Sequence, residues 1–207
     1  MAKLIYFYSA MKGGKSGILI PMAYNLEENK KRTLVVKPRI DTKGNAHIVS
    51  RSGAERQIDL WIDKEESFFE DANLSRIFET DAIIIDEAQF LTGKQVEELW
   101  TISKRLDIQV IGFGLRANFK GKLFEGSQRF FELADEISEL PIIPTCKCGE
   151  KALFNARLVN GVYTMDGEEC IIDGSTSNVT YEPLCGTCFL KQVVLPEKNM
   201  QYLKKFD

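Results

Sequence analysis

The chain has 207 residues, which is enough for one large domain or for a large and a small domain, each with a hydrophobic core. Hydrophobic residues account for 44% and charged residues for 28% of the sequence, and the formal net charge of −3 disfavours binding to nucleic acid or anionic membranes through a long basic surface. No apolar run approaches the roughly eighteen residues that a membrane span needs, and no cleavable signal sequence is recognisable, so we expect a cytoplasmic protein.

The first predicted element is an apolar strand over residues 4–8, which is followed by a loop ending in Gly-Lys-Ser and then by a helical pattern. This order is typical of a phosphate-binding loop, because the backbone N–H groups of the loop and the N-terminus of the helix converge on one anion. Lys15 is expected to contact the β- and γ-phosphates of a nucleotide, and Ser16 to offer its hydroxyl to Mg²⁺. An ordinary turn of small residues is the alternative, against which the flanking strand and helix argue. The predicted nucleotide-binding residues are Ser9, Ala10, Met11, Lys12, Gly13, Gly14, Lys15 and Ser16.

Strands and helices are predicted to alternate through the next hundred residues. The first helix is expected from Gly14 to about Lys30, and Pro21 inside it predicts a kink there or a helix shorter than the apolar pattern suggests. The polar stretch over residues 39–54, which contains the only histidine, His47, is predicted to be a long loop or ribbon. Further strands are expected at 33–36, 60–62, 82–87 and 108–113, and helices at 65–78 and at 93–106, where Trp100 is expected to face inward. The alternation predicts an α/β P-loop domain, residues 1–141, with a parallel sheet covered on both faces by helices.

Two carboxylates, Asp86 and Glu87, end the apolar strand at 82–87. Because ligands of parallel α/β sheets bind at the carboxyl ends of the strands, we expect both near the phosphate loop. Asp86 is predicted to hold Mg²⁺ through water, and Ala88 and Gln89 are assigned to the same nucleotide site. Glu87 would accept a proton if the phosphoryl acceptor is a hydroxyl, or orient an attacking water if the protein is an ATPase. Two surface acids after a strand are the alternative.

The sequence changes character near Pro141, where short β-like pieces, glycine turns and paired cysteines replace the alternation. We therefore predict a second, small domain over residues 142–207. The spacing of its two close cysteine pairs is typical of a four-thiolate structural zinc site, with free thiols as the alternative; the predicted ligands are Cys146, Cys148, Cys185 and Cys188. Cys170 is expected to be a small buried hydrophobe.

The chain resembles the type II thymidine kinases, the cytosolic zinc-bearing family, in the order and spacing of its motifs. These motifs are the phosphate loop, the segments 86–91 and 113–119, and the two cysteine pairs. Essentially the whole chain resembles this family, and a serine at the position of Ser9 occurs in its bacterial branch. The resemblance implies transfer of the γ-phosphoryl group of ATP to the 5′-hydroxyl of thymidine or deoxyuridine, with Glu87 at the position of the catalytic base. It further implies Mg²⁺, structural Zn²⁺ and a homotetramer.

The resemblance also implies a lasso loop, at about residues 169–181, that closes over the nucleoside and binds its base largely through main-chain groups. The residues that match substrate positions of the family are Phe90, Leu115, Phe119, Ile171, Ile172, Asp173, Gly174 and Tyr181. For Phe90 and Leu115, a place in the ordinary core is a competing interpretation. The chain departs from the family at Lys43, where an arginine is frequent, and in a lasso that is a few residues longer.

Two other functions remain open at this level. Residues 86–89 could form the box of a helicase-type ATPase, although the chain is short for two such domains. The cysteine module could instead be a zinc ribbon that binds nucleic acid, although residues 145–190 carry no basic cluster. We therefore predict no nucleic-acid partner and no membrane partner.

Overall fold

The structure, a computed structural model, describes residues 1–39, 46–167 and 178–195. The chain divides into two compact units. The first contains Met1–Ser9, Gly14–Arg116 and Phe124–Pro141, and the second contains Ala10–Gly13, Ala117–Leu123 and the chain from Ile142 onward. Two short internal segments thus group with the C-terminal part, and the predicted domain boundary after residue 141 stays a prediction.

The first unit is built on a parallel sheet. Its strands, in chain order, are β1 (Leu4–Ser9), β2 (Thr33–Pro38), β3 (His47–Val49), β4 (Glu55–Gln57), β5 (Leu60–Ile62), β6 (Ala82–Ile85), β7 (Gln109–Leu115) and β8 (Glu136–Glu139). Within the described residues, six of them pair in parallel in the order β5-β2-β6-β7-β1-β8, while β3 and β4 form an antiparallel ribbon. The predicted parallel sheet is confirmed, and the polar stretch around His47 contributes a ribbon.

The helices of the first unit are α1 (Lys15–Glu28), α2 (Asp71–Phe78), α3 (Gly93–Leu106) and α4 (Glu125–Leu133). Every residue of β6 is buried, as expected for a parallel strand with helices on both sides. One core joins the sheet to α3 and α4 through residues such as Leu99 and Phe130, and the other joins it to α1 through Leu19 and Ala23. The apolar side of each helix therefore determines which face of the sheet that helix covers.

Two local predictions need correction, whereas the first helix runs through Pro21 and ends at Glu28, slightly short of the predicted Lys30, as the expectation of a shorter helix allows. The second begins at Asp71 rather than at residue 65, because the buried carboxylate of Glu98 accepts hydrogen bonds from the Ser67 hydroxyl at 2.8 Å and from the Phe68 N–H at 2.9 Å, and so holds that segment in turns. Trp100 was expected inward but is 39% exposed.

The second unit contains a small antiparallel sheet and a short helix. The strands β9 (Phe154–Val159), β10 (Val162–Thr164) and β11 (Val179–Leu184) pair in the order β10-β9-β11, and α5 (Gly186–Phe189) follows. The core of this unit is small and includes two of the predicted zinc ligands, Cys146 and Cys185. The rings of Phe154 and Phe189 stack there at 4.5 Å. In the part of the chain that the structure describes, no helix combines the length and the apolar character that crossing a bilayer requires.

Candidate active site

The backbone of the predicted phosphate loop has a geometry that fits anion binding. Gly14, immediately before α1, has φ +71°, a left-handed conformation that glycine adopts without strain, and Lys12 has φ +67°. Among the described residues, no side chain caps the N-terminus of α1, so its first N–H groups are left for a ligand. The hydroxyl of Ser9, at the end of β1, is buried and also has no hydrogen-bond partner among the described residues.

Asp86 follows β6 and is 3% exposed. One carboxylate oxygen, Oδ2, lies 3.8 Å from Nζ of Lys37 at the end of β2. The other, Oδ1, is buried without a hydrogen-bond partner in the described part of the chain. Burial, reinforced by repulsion from Glu87, raises the pKa of Asp86 to about 7. A buried carboxylate with an unused oxygen fits a magnesium ligand, since that ion prefers oxygen donors and would favour the ionised form.

Glu87 is held in a defined position. Its backbone has φ +52°, in the left-handed region that a non-glycine residue adopts only where its surroundings impose it. The side-chain amide of Gln89 donates a hydrogen bond of 2.6 Å to Oε2, and Oε1 lies 3.8 Å from Nζ of Lys15. The structure thus brings Lys15 and the predicted base Glu87 together within the first unit, with the carboxylate still 23% exposed.

Gln89 connects this carboxylate to the sheet. It is 2% exposed, and its carbonyl oxygen accepts the N–H of Leu115, at the end of β7, at 3.0 Å. A Cβ atom at Gly114 would lie 2.5 Å from the Tyr6 hydroxyl and 3.0 Å from the Gln89 carbonyl oxygen, so the end of β7 approaches Gln89 as closely as a glycine allows. Gln89 was predicted at the nucleotide, and this supporting role was missed.

The described candidate substrate residues lie in both units. In the first, Phe90 packs edge-on against Phe124 with ring centroids 5.6 Å apart, and Leu115 is 9% exposed. In the second, Phe119 is buried under the guanidinium of Arg157, to which Tyr181 is also hydrogen-bonded. The remaining predictions, for Lys43, Cys170, Ile171, Ile172, Asp173 and Gly174, fall outside the described residues.

Asn155 is a second residue that the sequence prediction missed. Its side-chain oxygen accepts the Met11 N–H at 2.8 Å, and its amide donates to the carbonyl oxygen of Ala117 at 3.0 Å. It therefore fixes Met11, in the middle of the phosphate loop, from β9. In the sequence, Asn155 is simply a polar residue in a short predicted β-like segment. Its role becomes evident only when its hydrogen-bond partners are known.

The four predicted zinc ligands converge. The sulfur atoms of Cys146, Cys148, Cys185 and Cys188 all lie within 4.8 Å of one another, and those of Cys148 and Cys185 are 3.6 Å apart. Sulfurs bound tetrahedrally at about 2.3 Å from Zn²⁺ would be about 3.8 Å apart, so the cluster fits zinc. Burial raises the pKa of Cys146, but hydrogen bonds from the N–H groups of Cys148 and Cys185 outweigh it and lower this pKa to about 7. The neighbouring thiols raise the pKa of Cys188 to about 12.

Comparison with known proteins gives one consistent family. A family model described as thymidine kinase matches residues 2–189. The thymidine kinase of Rhodopirellula baltica is 37% identical over 195 residues, which are 93% of this chain and 90% of that protein. The thymidine kinase of Mannheimia succiniciproducens is 41% identical over 89% of this chain and 93% of that protein, and that of Enterobacteria phage T4 is 38% identical over 84% and 90%.

Two helicase structures show a remote likeness to the chain. The Pif1 helicase from Candida albicans matches with a TM-score of 0.41 and 18% identity over 67% of this chain and 36% of that chain. A Bacteroides Pif1 bound to single-stranded DNA matches with a TM-score of 0.39 and 14% identity, over 71% and 40%. The match covers at most 40% of the length of these two helicases.

Proposed function

This chain belongs to the thymidine kinase family, and from that premise we propose that Glu87 accepts the proton of the thymidine 5′-hydroxyl while ATP supplies the phosphoryl group. The chain is a nucleoside kinase that phosphorylates thymidine, which confirms the activity implied by the resemblance. The family favours this activity over the helicase-type ATPase that the sequence left open. The observation that carries the proposal is the Glu87 carboxylate, fixed by Gln89 and facing Lys15 at 3.8 Å.

Glu87 is suited to general-base catalysis because only one of its oxygens is used by Gln89. The other would accept the hydrogen bond of the nucleoside hydroxyl, and the proton would pass to Glu87 as the hydroxyl oxygen bonds to the γ-phosphorus and the bond to the ADP oxygen breaks. Phosphoryl transfer needs little covalent help from the protein, so positioning of the hydroxyl is as important as proton removal.

The phosphates of ATP would be held by the phosphate loop. Lys15 would neutralise charge on the β- and γ-phosphates, and the free N–H groups at the start of α1 would donate to them. Ser16 and Asp86 would hold Mg²⁺, which when bound neutralises the charge that develops on the phosphates. Lys37, whose Nζ lies 3.8 Å from Oδ2 of Asp86, would help to keep that carboxylate charged.

The nucleoside would be bound by the residues that the resemblance indicates, among them Phe90, Leu115, Phe119 and Tyr181. The same proposal includes deoxyuridine as a second substrate and a homotetramer. It also includes a cytoplasmic location and no binding to nucleic acid. The cysteine cluster would hold Zn²⁺ in a closed, structural site, because all four positions are taken by thiolates.

The experiment is a nucleoside panel with ATP and Mg²⁺, in which monophosphate products are separated and counted against ADP. Thymidine and deoxyuridine should be converted with one ADP per monophosphate, and purine nucleosides should not. The variant Glu97→Gln, which removes an exposed carboxylate on α3 that pairs with Arg129, is the matched control and should keep wild-type turnover. ADP formation without any nucleoside monophosphate would instead indicate an ATPase.

A further inference from the structure

Arg157, in the middle of β9, is one of the largest fully buried side chains in the described part of the chain, with 1% of its surface exposed. The carbon of its guanidinium lies 3.5 Å from the centre of the Phe119 ring. Its Nε donates a hydrogen bond of 2.9 Å to the hydroxyl of Tyr181. Among the described residues, neither Nη1 nor Nη2 has a hydrogen-bond partner, although both are buried.

This arrangement is difficult to explain as a contribution to stability. A buried charge that lacks full hydrogen bonding costs free energy, and its replacement by an apolar side chain of similar volume is often neutral or stabilising. Gly167 lies against the guanidinium, since a Cβ atom there would come within 3.1 Å of Nη1. The guanidinium is therefore retained for what it does to its neighbours.

Its two neighbours are the candidate substrate residues of the second unit. A guanidinium is flat, so it can stack on the face of one ring and donate hydrogen bonds in its own plane at the same time. At Arg157 these two contacts are made to different side chains, Phe119 through the stack and Tyr181 through Nε. The rigid guanidinium of Arg157 thus sets the position of the Phe119 ring relative to the Tyr181 ring. The compact ammonium group of a lysine could not make both contacts.

We propose that Arg157 is a positioning residue of the nucleoside site, which holds the Phe119 ring and the Tyr181 hydroxyl in the arrangement that thymidine requires. This inference rests on the proposed function, since the resemblance assigns Phe119 and Tyr181 to the substrate. Arg157 acts through these two side chains, so its loss weakens thymidine binding and leaves the phosphate-binding residues of the first unit intact.

The test compares Arg157→Met, Arg157→Lys, Tyr181→Phe and the double variant Arg157→Met/Tyr181→Phe with the wild-type protein. Arg129→Met, which removes an arginine whose ion pairs lie on the surface of α3 and α4, is the control and should keep both KM values. For each protein, kcat, the KM for thymidine, the KM for ATP, the zinc content and the thermal unfolding temperature are measured.

Arg157→Met is expected to unfold at or above the wild-type temperature, with normal zinc content. Its KM for thymidine should rise about 10- to 100-fold, the range that corresponds to a hydrogen bond to a charged group. Its KM for ATP should stay within twofold of the wild-type value. Arg157→Lys should show the same rise, since it keeps the charge but loses the flat geometry. Tyr181→Phe should raise the KM for thymidine less, and the double variant should be no worse than Arg157→Met alone.

Two results would overturn the inference. One is an unchanged KM for thymidine in Arg157→Met. The other is a rise in both KM values together with lower stability and lost zinc, which would make Arg157 a structural residue. If Arg157→Met unfolds at a lower temperature while only its KM for thymidine rises, the double variant decides. If the increases in the KM for thymidine of the two single variants multiply in the double variant, Arg157 and Tyr181 act independently and the inference is rejected. If the double variant has a smaller increase than that product, the two residues are coupled and the inference is supported. Failure of the proposed function itself would be evident earlier, since the wild-type protein would then form no thymidine monophosphate.

Discussion

Replacing Gln89 with leucine should separate the position of the catalytic base from the stability of the fold. The substitution removes the amide that donates to Glu87 at 2.6 Å and the carbonyl oxygen that accepts the Leu115 N–H at 3.0 Å. A hydrogen bond to a charged group is worth about 1.5–3 kcal/mol, and a buried N–H left without a partner costs about 1–3 kcal/mol. The Leu115 N–H is buried, so water does not relieve its loss, whereas the Glu87 carboxylate is 23% exposed and is partly solvated.

The first loss acts on Glu87 and the second on the end of β7, so they are measured differently. The freed carboxylate can turn toward Lys15, which lies 3.8 Å away, and leave the position that receives the proton. Misplacement of a catalytic group by about 1 Å can cost about 100-fold in rate, so kcat should fall about 10- to 100-fold with little change in the KM for ATP. Chemical denaturation should show a loss of about 1–3 kcal/mol in the free energy of unfolding, from the unpaired N–H of Leu115.

The variant Gln89→Glu is the matched control for geometry. It keeps an oxygen for the Leu115 N–H but replaces the donor with a second carboxylate beside Glu87. The second carboxylate repels that of Glu87 and donates no hydrogen bond to it, so kcat should fall as in Gln89→Leu, while the stability that the Leu115 N–H contributes is largely kept. Steady-state rates and chemical denaturation of the wild type, Gln89→Leu and Gln89→Glu test both expectations. A normal kcat in either folded variant would refute the positioning of Glu87 by Gln89.

The remaining predictions concern the sheet, the cysteine cluster and one loop residue. Gly114→Ala should lower the free energy of unfolding by about 1–3 kcal/mol in urea, because its Cβ would lie 2.5 Å from the Tyr6 hydroxyl; an unchanged stability would show that the end of β7 moves freely. Replacing Cys185 and Cys188 by serine should remove bound zinc and raise the KM for thymidine while ATP affinity is kept, and zinc-free protein with a normal KM would contradict this. Lys43→Ala should lower kcat and Lys43→Arg should preserve or raise it, whereas an alanine variant with wild-type kcat would make Lys43 a solvated loop residue.

The features that the sequence predicted well are local in the chain. The strand, the loop and the helix around Lys15 are one continuous segment, so their order could be predicted before the fold was known. The buried strand β6 was evident as an unbroken apolar run, and the cysteine pairs by their spacing. Each of these signals depends on neighbours within a few residues.

The features that were missed depend on partners far away in the sequence. The late start of α2 is imposed by Glu98, about thirty residues downstream, whose carboxylate holds Ser67 and Phe68 in turns. Arg157 meets Phe119 from 38 positions away, and no local pattern distinguishes it from a surface arginine. The edge strand β8 has three exposed residues among its four, so it lacks the apolar run by which the central strands were found.

The most direct test of the account is the turnover of Glu87→Gln with thymidine, ATP and Mg²⁺, measured beside the equilibrium affinity of the same variant for ATP. Glutamine keeps the size of the side chain and can still accept a hydrogen bond, but it cannot take up the proton. General-base help is worth about 10²- to 10⁴-fold, so kcat should fall by that factor while ATP binds as in the wild type. Near-normal formation of thymidine monophosphate by this variant would contradict the assignment of Glu87 as the base.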